Sequence, residues 1–102
     1  MEQMALTETT YYILLSLYRP LHGYGIMQRA AELSGGRVRL AAGTLYGALN
    51  ALVDKGWIAL LPGEGRKKEY RLTPKGLEIL KKELARLREL VASGDMVLKE
   101  EA

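Results

Sequence analysis

The chain has 102 residues, 48% hydrophobic and 26% charged, which suits one domain with a core and excludes wholesale disorder. It has no cysteine, which excludes disulfides and thiolate metal sites, and its formal charge of +3 suits an anionic partner without requiring one. A domain this short is marginal alone, so association would help it.

The opening MEQMALTETT is acidic and polar, unlike a secretory leader. No run approaches the roughly 18 apolar residues that span a bilayer. The expectation is a cytoplasmic protein with no membrane partner. LTETTYYILLSLYRP then sets Leu6, Tyr11, Ile13, Leu14, Leu17 and Tyr18 on the inner side of a first helix, with Thr7 as N-cap, Glu8 in the first turn and Pro20 as terminator. HGYGIMQRAAELSGG predicts a second helix that buries Tyr24, Ile26, Met27, Ala30, Ala31 and Leu33 and ends at Gly35-Gly36. RVRL alternates, Val38 and Leu40 inward and Arg37 and Arg39 outward, which predicts one short strand.

AAGTLYGALNALVDKGW predicts a third helix, with Leu45, Leu49, Leu52 and Val53 on a buried stripe. Its opposite face holds Gly43, Gly47, Asn50 and Asp54, with Tyr46 at the edge. A helical glycine costs about 1 kcal/mol relative to alanine, so this bare face implies that something must approach the backbone. WIALL, PGEGRK and KEYRL read as strand, turn, strand. Thr73-Pro74 supplies an N-cap and a first-position proline. The last helix, from about 74 to 92, carries Leu77, Leu80, Leu84, Leu87 and Val91 in alternating steps of three and four, an a/d seam suited to a second copy of the chain. Ser93-Gly94 is expected to break it and the tail DMVLKEEA to fray.

This order predicts a mainly α fold with a small β-hairpin: a winged helix-turn-helix over residues 1–73, then a C-terminal dimerisation helix and tail over 74–102. The third helix, about 42–55, would enter a DNA major groove N-terminal end first, with the wing at 62–68 on the backbone or minor groove.

Three blocks carry a family resemblance: LHGYGI before the second helix, GGRVRLAAGTLYGALNAL through the third, and KKEYRLTPKG at the wing's return. Together they resemble the PadR family of transcriptional regulators over about residues 10 to 80. One helix after the wing resembles the short subfamily, whose members are homodimers built through the C-terminal helix and mostly repress nearby genes. The likeness implies double-stranded DNA as a partner, with a palindromic operator. An effector of unknown identity is left open; short relatives stack flat drugs between tryptophans of the C-terminal helices, and this helix has none. Two departures stand out. The family often has Ser then Pro where Ala41 and Ala42 stand, and Pro where Gly47 stands.

The expected DNA contacts follow. Tyr46 would reach backbone or base, Thr44 a phosphate or thymine methyl, and Asn50 an adenine, while Ala42, Gly43 and Gly47 leave room for close approach. Tyr46 as helix-edge packing and Asn50 as a solvated side chain are the plainer alternatives. Arg66, Lys67 and Lys68 form the densest basic run, at a turn with Gly63 and Gly65, and would bind phosphate; Arg37 and Arg39 would flank the reading helix. A winged helix that binds protein is the rival reading. No catalytic site, metal site or cofactor is proposed: His22 is the only histidine, the carboxylates are scattered, and no phosphate-binding loop occurs. Glu83–Arg86, Glu78–Lys82 and Lys82–Glu89 read as a solvated outer face with weak helical ion pairing. Trp57 reads as core, and His22 as a loop or capping residue.

Overall fold

A computed structural model of the protein describes residues 5–63 and 68–100. Within them lie four helices, α1 (Glu8–Ser16), α2 (Gly23–Leu33), α3 (Ala42–Asp54) and α4 (Pro74–Glu100), and three strands, β1 (Leu21–His22), β2 (Ile58–Leu60) and β3 (Glu69–Leu72). The sheet is antiparallel in the order β1-β3-β2, with Leu21 opposite Tyr70 and Ile58 opposite Leu72.

The helix ends follow local chemistry. Thr7 caps α1 by accepting the Thr10 N–H at 3.1 Å. His22 caps α2 through Nδ1, which accepts the Gly25 N–H at 3.0 Å. Thr73 caps α4: its hydroxyl accepts the Gly76 N–H at 3.0 Å and donates to the Gly56 carbonyl at 2.6 Å. Helices α2 and α3 end alike. Gly36 N–H reaches the Ala31 carbonyl and Trp57 N–H the Leu52 carbonyl, each beyond a left-handed glycine, Gly35 at φ 63° and Gly56 at φ 77°.

One core unites the elements. Ile13, Leu14 and Leu17 meet Ile26 of α2, Leu45, Leu49 and Leu52 of α3, Ile58 and Tyr70 of the sheet, and Leu80 of α4. Each fully buried Leu or Ile contributes about 1.5–3 kcal/mol, so this cluster holds α3 firmly to the other elements. Trp57 packs at its margin as expected.

Four expectations need correction. RVRL is not a strand: Val38 is buried and Arg37 and Arg39 are exposed, as alternation implied, but the edge of β3 is occupied by Leu21–His22. Val38 N–H is satisfied instead by Ser34 Oγ at 2.9 Å. Second, α4 runs through Ser93-Gly94 to Glu100. Two poor helix formers cost about 1 kcal/mol each at most, too little to end a helix with strong formers on both sides. Third, Tyr18, Tyr24, Leu33 and Val53 are exposed. Tyr18 lies past the end of α1, and the other three sit at the rims of their helices' buried stripes. Fourth, Glu83 is not on a solvated face. It is 1% exposed, accepts the Leu6 N–H at 3.1 Å and is clamped by Arg86 through Nε and Nη2, both at 2.7 Å. That hydrogen bonding raises the guanidinium pKa further, so Arg86 stays charged. The spacing held the clue: Glu83 is three residues after Leu80 and four before Leu87, on the inner face of the helix.

Candidate nucleic-acid interface

Helix α3 turns Leu45, Leu49 and Leu52 into the core and leaves Ala42, Gly43, Thr44, Tyr46, Gly47 and Asn50 exposed. Nothing stands within 4 Å of where a Cβ would be at Gly43 or Gly47, so the first turns present backbone to open space. Ala41 is the N-cap, and no side chain caps the helix, so its first N–H groups are open to an external acceptor.

Tyr46 is 44% exposed. Its phenol lies beside Gly23 at the start of α2. Burial, and then Tyr46, push the Tyr70 phenol above its ordinary pKa. Tyr46 is thus packed against the start of α2, as helix-edge packing would have it, and is still partly open to solvent.

The flanking arginines differ. Arg37 makes two contacts with Glu8 at the start of α1, Nε to Oε2 at 3.1 Å and Nη2 to Oε1 at 3.2 Å. The Arg37 side chain is 73% exposed and that of Glu8 47%, so water and salt screen the pair. Arg39 is exposed beside Gly36. In the wing, Lys68 is exposed just before β3, whereas Arg66 and Lys67 lie outside the described residues.

The leucine seam of α4 divides in two. Leu80 is 6% exposed in the chain's own core, and Leu77 is half-buried beside Leu17 and Pro74. Leu80 is thus not available to a second chain, because the body extends further along α4 than the spacing implied. Leu84, Leu87 and Val91 continue outward and line a shallow groove with Arg88, Ala92 and Asp95. Leu90, Met96, Val97 and Leu98 are also exposed on this distal half.

Residues 12–82 match the profile of the Transcriptional regulator PadR-like family. The chain belongs to that family. Among solved structures, this PadR-like chain superposes on a PadR-like transcription factor from Bacteroides fragilis with a TM-score of 0.71 and 28% identity, covering 85% of this chain and 86% of that one. It superposes on a PadR family transcriptional regulator from Eggerthella lenta with a TM-score of 0.67 and 26% identity, over 87% and 81% of the two chains. Bacillus subtilis PadR, solved in complex with operator DNA, matches with a TM-score of 0.66 and 28% identity over 80% of this chain and 49% of that one. An uncharacterised 37.1 kDa protein of a Streptomyces fradiae transposon is 44% identical over 64 residues, 63% of this chain. The match spans only 18% of that curated relative's length. The PadR-like family consists of transcriptional regulators, not enzymes. Among the described residues no helix is long and apolar enough to cross a membrane.

Proposed function

We propose that this PadR-like regulator is a homodimeric, sequence-specific DNA-binding repressor. The observation that carries the reading is the uncapped, side-chain-poor face of α3, exposed from Ala42 to Asn50 while its other face is anchored in the core. A protein-binding helix would be expected to offer apolar anchors there; this one offers glycine, hydroxyl and amide groups. Thr44, Tyr46 and Asn50 are assigned to base edges and nearby backbone, and Ala42, Gly43 and Gly47 to close approach. Arg37, Arg39, Arg66, Lys67 and Lys68 are assigned to phosphates. Arg37 would exchange its screened pairing with Glu8 for a phosphate, and the wing lysines act as point charges.

The dimer is assigned to the distal half of α4, through Leu84, Leu87 and Val91, with Leu77 at the margin. Two symmetric copies present two reading helices, which suits a palindromic operator. A dimer seated on such a site excludes other proteins from it, which is repression in its simplest physical form.

The test is salt dependence on a duplex enriched by the wild-type protein from a random-sequence pool, with an unselected duplex alongside. Each phosphate contact contributes roughly 0.9 to the slope of log affinity against log salt, so Lys68→Ala should lower the slope by about 2 per dimer. Both duplexes should lose affinity by similar factors. A protein that enriches nothing would overturn the DNA reading, and a loss confined to the enriched duplex would show that the wing reads bases.

A further inference from the structure

Gly23 opens α2, is buried, and has no left-handed backbone that would demand glycine. Its local conformation would accept any L residue, and helix propensity would favour most of them. The reason for glycine is what stands in front of it. A Cβ built at position 23 would lie 2.7 Å from Cζ and 3.1 Å from Cε1 of Tyr46, and would collide with the phenol oxygen. This ring belongs to the reading helix, thirteen residues beyond Leu33, the end of α2, and both helices are held in one core.

We infer that Gly23 is a positioning residue for DNA recognition: by offering no side chain, it lets the hydroxyl end of Tyr46 lie over the first turn of α2 and so fixes the ring that borders the reading face. The inference rests on the proposed DNA reading. A tyrosine on an open helix face would sample several staggered rotamers, and holding one of them otherwise falls to the DNA at binding. Here the start of α2 forms a wall against the ring, while 44% of Tyr46 stays open to solvent. The ring is also the far end of a partly exposed side chain. An added methyl at position 23 would therefore displace the phenol rather than the helices, leaving the fold intact and the reading face altered.

The experiment is a double-mutant cycle of Gly23→Ala, Tyr46→Ala and the double variant. Each is measured on a duplex enriched by the wild-type protein from a random pool and on an unselected duplex, with the melting temperature of every protein. Gly23→Ala should melt no lower than wild type, and each single variant should bind the enriched duplex about tenfold more weakly. The double variant should be no worse than either single one, and binding to unselected duplex should change little. Gly23→Ala that binds like wild type, or losses that multiply in the double variant, would overturn the inference. Should Gly23→Ala not fold, removing the Tyr46 ring must restore folding; a double variant that stays unfolded overturns it equally. A wild-type protein that enriches no duplex removes the DNA reading itself, and this role with it.

Discussion

A carboxylate 1% exposed on a helix whose sequence reads as solvated, Glu83 shows how one side chain ties distant parts of the chain together. It joins Leu6, ahead of α1, to α4 across 77 positions. The geometry supplies what buried ionised oxygens need, a guanidinium fork and a backbone donor. Glu83→Ala should therefore cost stability beyond its lost packing, because the Leu6 N–H loses its acceptor; that loss alone is worth about 1–3 kcal/mol. Glu83→Gln keeps an acceptor and the shape, so it should lose less. Chemical denaturation of the two variants checks the order. If they are equally stable, the Leu6 hydrogen bond contributes nothing.

At the scale of elements, α3 is, among the described helices, the one whose N-cap has the right backbone and the wrong side chain. Ala41 sits at φ −74° and ψ 153°, the extended conformation that a cap requires, with no oxygen to offer the first turn. Ala41→Ser should stabilise the protein by roughly 1 kcal/mol and raise its melting point by about 4–8 °C. Thermal unfolding tests this, and an unchanged midpoint would mean that the serine does not cap. Caps of this kind are legible in the sequence because each depends on a few consecutive residues: Thr7, Thr73 and the glycine pair after α2 all lie where the sequence puts them. The bare face of α3 was legible for the same reason, since glycine inside a helix is locally unfavourable. What sequence could not rank was competition between distant segments. RVRL alternates as a strand would, yet it is Leu21–His22, which nothing in the local pattern marks as a strand, that meets β3. Leu80 and Leu84 are equivalent by spacing, and only the position of the body decides which is buried. The place of Tyr46 over Gly23 is long-range in the same sense.

At the scale of the whole molecule, the protein measures 57 × 32 × 20 Å, and the long dimension reflects α4. Twenty-seven residues of helix span about 40 Å. Its first turns are part of the winged-helix body through Leu80 and Glu83, and its later turns carry the apolar stripe of Leu84, Leu87, Val91 and Leu98 outward. A contiguous apolar face on an extended helix marks an association surface. Leu84 is 37% exposed in the single chain, so Leu84→Glu should fold and yet fail to associate, because a dimer would have to bury an unpaired charge. Sedimentation at micromolar concentration should give a dimer for wild type and a monomer for the variant. A wild-type monomer would remove the seam. The absence of a joint between body and seam has a mechanical consequence. In a continuous helix, deleting one residue after Glu83 turns everything beyond it by about 100°, swinging the association face away from its partner while leaving the body untouched. Adding seven residues restores the phase to within about 20° but lengthens the rod by about 10 Å. In the proposed dimer, then, α4 works as a ruler: the distance and angle between two reading helices, and with them the spacing of the half-sites they can reach together, are stored in the winding of a helix that touches no DNA.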